Sequence, residues 1–236
     1  MRTHAAAIAV AATLAAGAAP AAVLYDAGLG TLPSAQGWSF LALPGVTQSV
    51  GGGVYTLDST LTPALQGGIG RSDRVLDTVA GFDLDFTLRI TAESHGNANR
   101  AGFSVIAVGS DPTRAIEVAF WTDQVWVYTA GFQHGAGFAT DTTDAAHDYR
   151  LRVHGGQFTL LADGGELVSG PLVDYGPAGP AIPYEVPNSL FFGDDTTSAQ
   201  GRVELSRIAL SPIPLPAALT LLVAPLGALL RRRARG

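Results

Sequence analysis

The sequence predicts an all-β sandwich, and three observations support this fold class. Apolar and polar residues alternate in short runs, and Gly, Asp, Asn and Pro separate those runs. No apolar stripe of useful length repeats every 3.6 residues, which argues against a helical bundle. The 236 residues include 29 Gly and 14 Pro, and only 14% are charged, so the chain is turn-rich and too apolar for intrinsic disorder.

The residue types that are missing exclude several kinds of chemistry. All 14 basic residues are Arg, and the chain contains neither Lys nor Cys. Without Cys there is no disulfide scaffold, thiolate metal site or thiol nucleophile. Without Lys there is no Schiff base and no phosphate-binding P-loop.

The first 21 residues have the pattern of a secretory signal peptide. Arg2 and His4 precede an apolar stretch over 5–24, and Ala19-Pro20-Ala21 follows the small-x-small rule for cleavage. We therefore expect cleavage after Ala21. A buried N-terminal helix is the alternative, but Pro20 and an apolar surface on every side favour secretion.

The last part of the chain has the pattern of a membrane span. Residues 213–230 contain no charge, and arginines follow at once in 231–235. A helix of this length spans roughly 27 Å, which is enough for a bilayer core, and the arginines obey the positive-inside rule. We expect this tail to stop in the inner membrane with its end in the cytoplasm.

The same tail resembles the PEP-CTERM class of sorting signals, in the variant whose box reads Val-Pro-Leu-Pro-Ala. Ile213 replaces the Val, and the acidic residue of the commoner box is absent. The resemblance implies export from a Gram-negative bacterium, recognition by the membrane enzyme exosortase, and a place at the cell surface or in the extracellular polysaccharide matrix. An uncut tail anchor is the alternative. The residues of the expected signal are Pro214, Leu215, Pro216, Ala217, Arg231, Arg232 and Arg233.

These signals divide the chain into a signal peptide (1–21), an ectodomain (22–211) and a sorting signal (212–236). The exported part holds nine arginines and 20 acidic residues, a net charge of −11. Nucleic-acid binding requires clustered cations, so nucleic acid is not an expected partner.

The ectodomain contains about 11 predicted strands in a single domain. In the clearest, residues 82–90, every second residue is apolar and forms one buried face. In 203–210 the apolar parity changes, which predicts a bulge near Ser206-Arg207. The predicted strands are 38–43, 54–57, 82–90, 103–108, 115–121, 125–128, 149–153, 158–162, 166–168, 189–192 and 203–210.

Two hairpin turns lie in the middle of this series, at Gly155-Gly156 and at Asp163-Gly164-Gly165. The stretch 147–164 resembles the central hairpin of laminin-G and concanavalin A-like jelly rolls, and 191–205 is similar to the closing strand of that fold. The resemblance implies a concanavalin A-like jelly-roll β-sandwich. It implies little about function, because the fold hosts lectins, glucanases and adhesive modules.

The sequence contains no known catalytic pattern. A glucanase strand with Glu-x-Asp-x-x-Glu is absent, and so are a Gly-x-Ser-x-Gly elbow and a His-Glu-x-x-His pair. Asp83 and Asp85 form a carboxylate pair at strand spacing, but we interpret them as solvated residues of an outer face. We therefore predict a binding protein that is not an enzyme.

No cofactor is expected, although calcium is possible. Asp194 and Asp195 in the loop 193–198 are the better candidates, and the cluster 141–144 is weaker. Turns use the same residue types to bind their own backbone, and neither loop has EF-hand spacing. No metal site is claimed from the sequence.

One hairpin predicts a sugar-binding surface. If Asp123-Gln124 is a two-residue loop, Glu117, Trp121, Trp126 and Tyr128 share the outer face of its two strands. Aromatic rings beside a carboxylate suit a pyranose, whose apolar face stacks while its hydroxyls bond polar groups. Carbohydrate is therefore the favoured ligand.

Three function classes stay open at this point. The alternative for the aromatic face is a second small core beneath a loop such as 130–148, and covered aromatics would favour a structural or adhesive matrix protein. The second rival is a polysaccharide-active enzyme, which needs a cleft with at least two convergent carboxylates.

Overall fold

The computed structural model describes residues 20–178 and 183–213. These residues form an all-β sandwich of two antiparallel sheets. Three short 3-10 turns lie between strands, at Ala27–Leu29, Pro33–Gln36 and Gly176–Ala178. The strands are β1 (Ala22–Asp26), β2 (Ser39–Ala42), β3 (Thr47–Gly51), β4 (Val54–Asp58), β5 (Gly67–Arg71), β6 (Phe82–His95), β7 (Ser104–Val108), β8 (Ala115–Phe120), β9 (Gln124–Tyr128), β10 (His134–Ala139), β11 (His147–His154), β12 (Gln157–Ala162), β13 (Gly165–Pro171), β14 (Leu190–Asp194) and β15 (Ala199–Pro212).

One sheet has eight strands in the order β13-β12-β11-β6-β15-β4-β3, with β1 also paired to β15. The other has seven, in the order β10-β9-β8-β7-β14-β5-β2. Strands β6 and β15 are 14 residues long and pair along their whole length, so they form the centre of the first sheet. The inner faces of the two sheets bury one continuous apolar core.

The strand β6 shows how the sequence pattern produces this core. Its first nine residues alternate between buried and half-buried, as the sequence predicted, because successive side chains of a strand point to opposite faces. The Phe86 ring contacts Phe192 of the other sheet edge-on, with ring centres 5.4 Å apart. The pattern therefore fixes which face of the eight-stranded sheet meets its partner.

Two predicted turns and one predicted bulge are confirmed. His154 pairs with Gln157 across Gly155-Gly156, and Ala162 pairs with Gly165 across Asp163-Gly164. All four loop residues have positive φ, as two-residue turns between twisted strands require. The pairing of β15 with β6 shifts between Leu205 and Arg207, at the predicted bulge.

Four strands were not predicted: β1, β3, β5 and β10. Strand β5 reads Gly-Gly-Ile-Gly-Arg, a composition that usually indicates a turn. In the sandwich a Cβ atom at Gly68 would lie 2.5 Å from the Phe192 carbonyl oxygen, so close approach of β14 excludes any side chain there. Strand β10 is similarly glycine-rich, and it lies at the edge of its sheet.

Candidate functional site

The hairpin of β8 and β9 lies in the seven-stranded sheet, but its register differs from the predicted one. Phe120 pairs with Val125, whereas a two-residue loop at Asp123-Gln124 would have paired Phe120 with Val127. The predicted position of the loop is therefore wrong: the bond from Trp121 N to Gln124 O closes the turn around Thr122-Asp123, one residue earlier in the chain. A shift of two residues leaves every side chain on its predicted face.

The four predicted ligand-binding residues lie together on the outer side of this hairpin, but most of them are covered. Trp126 is 0% exposed, Glu117 1% and Tyr128 3%, while Trp121 is half-buried. The indole of Trp121 stacks on the His95 ring, with centres 4.1 Å apart. The described residues thus form no open aromatic platform on this face.

A second apolar cluster covers the hairpin, as the alternative interpretation of the sequence anticipated. Its cover does not come mainly from 130–148, because β10 in that stretch extends the sheet by pairing with β9. Tyr175 and Tyr184 come instead from the segment between β13 and β14. The Tyr175 hydroxyl accepts a bond from Glu117 N and donates one to Tyr128 O, which fixes this segment on the sheet.

A pocket of about 330 Å³ remains where the cover meets the loop after β14. This size is at the lower end of the range for small-molecule sites. Phe132 stands in its wall with a positive φ of 53°, a conformation that costs on the order of 1–3 kcal/mol and is commonest at functional sites. The lining residues are Gln66, Arg100, Glu117, Tyr128, Phe132, Tyr184, Asp195, Thr196, Thr197 and Ser198.

The Tyr184 hydroxyl bridges two carboxyl groups in this pocket. Its oxygen lies 2.5 Å from Glu117 Oε2 and 2.8 Å from Asp195 Oδ2. A tyrosine hydroxyl has one proton and can donate it to only one of the two carboxyl groups. The other contact needs a proton on the carboxyl group itself. One of the two carboxyl groups is therefore protonated, and the other is ionised.

Burial indicates which carboxyl holds that proton. Burial raises the pKa of Glu117 well above its ordinary value, and the Asp195 charge raises it further. Burial also raises the pKa of Asp195, but the Asp195 side chain is partly exposed, whereas Glu117 is buried; the contact with Tyr184 opposes the pKa shift of both groups. We therefore assign the proton to Glu117, which donates to Tyr184, while Tyr184 donates to Asp195.

Three buried polar atoms of the described residues have no hydrogen-bond partner, and all three lie on this outer face. They are Ser104 Oγ, Glu117 Oε1 and Trp126 Nε1. Ser104, Ala119 and Trp126 form one row across β7, β8 and β9, and Glu117 lies two residues before Ala119 on the same face of β8. Ser104 is close enough to lower the pKa of Glu117, but its hydroxyl makes no bond of regular geometry. Buried polar groups of this kind bind water or a ligand.

Arg100 brings a positive charge to the pocket without forming an ion pair. Its Nη1 donates to the carbonyl oxygen of Phe132 at 3.1 Å and to that of Asn99. Within 20–178 and 183–213, neither Glu117 nor Asp195 has a basic side chain within 4.0 Å. The charge of Arg100 still lowers the pKa of both carboxyl groups.

The two calcium candidates after β14 are separated by the pleat of the strand. Asp194 is buried and bonds Ser59, while Asp195 points to the outer pocket. Asp141 in the weaker cluster accepts bonds from its neighbour Thr143, as a turn residue does. In the described part of the chain no three His, Cys, Asp or Glu side chains come together to hold a metal ion.

Other predicted residues fall at the ends of the chain. Ala21 is exposed and directly precedes β1. Pro214, Leu215, Pro216, Ala217, Arg231, Arg232 and Arg233 lie outside the described residues, as does the expected span after Ile213. Over 20–178 and 183–213, the helical segments are all too short to cross a membrane.

Asp83 and Asp85 lie on the outer face of the eight-stranded sheet, as predicted, and each forms an ion pair. Arg152 Nε lies 2.8 Å from Asp83, and Arg150 Nε lies 2.6 Å from Asp85. Across the β6–β11 ladder these residues are direct neighbours. Their geometry is that of a cross-strand charge ladder and not of a catalytic pair.

The sequence did not reveal the part that Arg100 and Tyr184 play in the pocket. Tyr184 is 67 positions from Glu117 and lies in an irregular segment with no apolar periodicity. Arg100 lies in the turn between β6 and β7. The only available signal was the isolated tyrosine among Pro and Gly residues, which does not indicate what it contacts.

Comparisons with known proteins define the class to which this fold belongs. No protein-family model matches the chain, and no curated protein matches it. The structure is similar to that of a conserved carbohydrate esterase from the Shiga toxin-encoding bacteriophage phi24B, with a TM-score of 0.61 and 17% identity over 82% of this chain and 99% of that one.

Two further structures have the same fold. A Bacillus subtilis protein of unknown function with a galectin-like fold matches with a TM-score of 0.55 and 12% identity, over 83% of this chain and 98% of that one. A sialidase matches with a TM-score of 0.55 and 11% identity, over 83% of this chain but only 19% of its own. The chain is thus an all-β sandwich with galectin-like neighbours, and at these identities the likeness concerns the fold alone.

Proposed function

We propose that this chain is an exported protein of the cell surface or extracellular matrix, and that its sandwich binds carbohydrate without catalysing a reaction. Within the sandwich class we assign it to the concanavalin A-like jelly rolls. The binding site is the pocket between Glu117, Tyr184 and Asp195, and not an open platform of indoles.

One observation carries this proposal: the pocket combines aromatic walls with unsatisfied and charged polar groups. Tyr128, Phe132 and Tyr184 supply rings, and Glu117 and Arg100 supply a hydrogen-bond acceptor and donors. A sugar presents apolar ring faces and many hydroxyl groups, so it matches such a surface better than an apolar ligand does. The similarity of the fold to that of a carbohydrate esterase and of a galectin-like protein is in keeping with a sugar ligand.

A glycan panel tests the binding proposal. The full chain is purified in a detergent without a sugar headgroup and is screened with and without calcium. We expect binding that Arg100→Ala removes and that Arg114→Ala, a change of an exposed arginine outside the pocket, leaves unchanged. Failure of the wild-type chain to bind any glycan would contradict the proposal.

The termini support a proposal about location. We propose that the signal peptide directs export, that 213–230 anchors the chain in the inner membrane, and that exosortase recognises the box at Pro214 and Pro216. Replacing these prolines together with Arg231, Arg232 and Arg233 should preserve export and block release from the cells. Unchanged release in that variant would contradict the sorting proposal.

Two other functions have one supporting observation each. The covered indole of Trp126 favours a structural or adhesive matrix protein, and such a protein would bind no glycan in the panel. The two convergent carboxyl groups in the pocket favour a polysaccharide-active enzyme. Release of reducing ends or acyl groups from a polysaccharide, abolished by Glu117→Gln, would establish that activity.

A further inference from the structure

The charges of the pocket balance only while one proton is shared. With that proton, Glu117 and Asp195 together carry one negative charge, and Arg100 carries one positive charge. The pocket is then neutral, which a site removed from water favours. Ionisation of both carboxyl groups would leave one negative charge without a partner.

We propose that the ligand is an amino sugar, whose ammonium group binds beside the two carboxyl groups and replaces the positive charge of the shared proton. This inference rests on the proposed carbohydrate site and specifies what that site selects. When the ammonium group enters, the proton of Glu117 leaves to solvent. The pocket then holds two carboxylates, Arg100 and one ammonium group, and it is neutral again.

The geometry offers what an ammonium group needs. Glu117 lines the pocket, is 1% exposed, and has an Oε1 atom without a hydrogen-bond partner. An ammonium group has three donors and no acceptor, so it suits a pocket lined by two carboxyl groups and a tyrosine hydroxyl. Tyr128, Phe132 and Tyr184 add aromatic rings, whose faces attract cations within about 6 Å.

Other sugar classes suit the same pocket less well. A uronate would add a carboxylate to a site that already contains two carboxyl groups and one cation. A neutral sugar can bind, but it brings no positive charge that would favour ionisation of Glu117. An amino sugar is therefore distinguished from a uronate and from a neutral sugar, because only its binding releases the proton of Glu117.

The charged and titratable groups around Glu117 come from every element that packs on it. Arg100 and Asp195 carry charges, and three tyrosines surround the carboxyl group from β9 and from the covering segment. Burial raises the pKa of each of these tyrosines, so they stay neutral and do not take up the released proton. The neighbours are Arg100, Tyr128, Tyr175, Tyr184 and Asp195.

Three tetrasaccharides that differ only at carbon 2 test the proposal. They are the β-1,4-linked tetramers of glucosamine, N-acetylglucosamine and glucose. Calorimetric titrations of the full chain at pH 6 in two buffers of different ionisation enthalpy give affinity and proton release together. We expect the glucosamine tetramer to bind at least tenfold more tightly than the other two and to release about one proton.

The pH dependence gives a second readout. While Glu117 is protonated in the free protein and the sugar amine is charged, the affinity for the glucosamine tetramer should rise with pH by up to about tenfold per unit, because each binding event displaces one proton. The affinity for the glucose tetramer should not change. Equal affinity for both tetramers, without proton release, would overturn the amino-sugar inference and leave the carbohydrate site intact. No binding of any tetramer or panel glycan would overturn both.

Variants separate the pocket from general attraction to an acidic surface. Glu117→Gln has the shape of the protonated carboxyl group and should lose both the preference for glucosamine over glucose and the proton release. Glu166→Gln, a change of an exposed residue, should behave as wild type. If Glu117→Gln does not fold, Asp195→Asn takes its place as the test variant, because Asp195 is the other carboxyl group of the pocket and is partly exposed. A glucosamine preference that persists in the pocket variants would refute the proposal.

Discussion

Asp194→Asn should make the protein more stable at neutral pH, with a gain that grows as the pH rises. Asp194 ends β14, is 1% exposed, and lies 2.8 Å from the Ser59 hydroxyl. Burial raises the pKa of Asp194 from 3.8 to about 8. In the folded protein the carboxyl group therefore stays protonated at pH 5 to 7, while in the unfolded chain it is ionised.

The hydrogen bonds around Asp194 fit the neutral form. Ser59 Oγ accepts from Gly201 N at 2.9 Å and lies 3.2 Å from Gly201 O, so when it donates its proton to Gly201 O it accepts one from a protonated Oδ2 of Asp194. Oδ1 accepts from Thr196 N. An asparagine amide can replace both roles of the neutral carboxyl group, because it donates through nitrogen and accepts through oxygen.

The size of the effect follows from the difference of one proton between the two states. The folded state holds a proton that the unfolded state has released, so stability falls as pH rises from about 4 to about 8. The slope is about 1.4 kcal/mol per pH unit, so this group accounts for roughly 2.7 kcal/mol between pH 5 and 7. Asparagine does not titrate. The stability of the Asp194→Asn variant relative to wild type should therefore rise by that amount from pH 5 to pH 7, which corresponds to roughly 5–10 °C in melting temperature.

Urea unfolding followed by circular dichroism at pH 5, 6 and 7 measures this difference directly. Asp123→Asn, a change of an exposed aspartate in the β8–β9 turn, is the control for a general loss of negative charge. A stability difference between Asp194→Asn and wild type that is the same at all three pH values would refute the assignment of a neutral Asp194.

Three other substitutions test the packing that creates the site. Trp126→Ala should cost about 3–5 kcal/mol in urea unfolding, because the indole is fully buried, and Trp121→Ala should cost less because its side chain is half-buried; equal costs would contradict the covered face. Gly68→Ala should destabilise the fold measurably in thermal unfolding, because its Cβ would meet the Phe192 carbonyl oxygen at 2.5 Å; an unchanged melting temperature would contradict the close approach. Tyr184→Phe should weaken glycan binding in the same panel, because the shared proton loses its bridge, and unaltered affinity would refute a role for that hydroxyl.

The alternation of residues predicted most of the fold because strands with one buried face record that burial in their sequence. Strand β6 is the clearest case, and its core face was correctly predicted. Strand β5 was missed for the opposite reason. Its glycines are selected by the approach of neighbouring strands, and that constraint leaves no alternating pattern to detect.

The candidate site was predicted in part, because face and register carry different information. Parity placed Glu117, Trp126 and Tyr128 on one face, and it survived the error in the loop because the shift was even. What covers that face could not be predicted. Tyr175 and Tyr184 reach it from an irregular segment between β13 and β14, where no periodicity links a residue to its contacts.

The same limit applied to Asp194 and Asp195, which the sequence presented as two equal calcium candidates. Adjacent residues of an extended chain point to opposite sides, so one side chain enters the sandwich and the other enters the outer pocket. Asp194 is protonated because it is buried, and Asp195 shares a proton with Glu117 through the Tyr184 hydroxyl. Two adjacent carboxyl groups that look like one cation site in sequence thus serve two separate environments.

The pocket and the two described ends of the sandwich lie at opposite ends of β15. Residues 196–198 line the pocket and lead directly into Ala199, the first residue of β15. The other end of this strand, at Pro212, is where the described sandwich ends, and Ala22 pairs close by with Leu210. A strand of 14 residues at about 3.3 Å per residue separates the two ends by roughly 40 Å. A ligand that enters the pocket past 196–198 therefore approaches the end of β15 that lies away from Ala22 and Pro212.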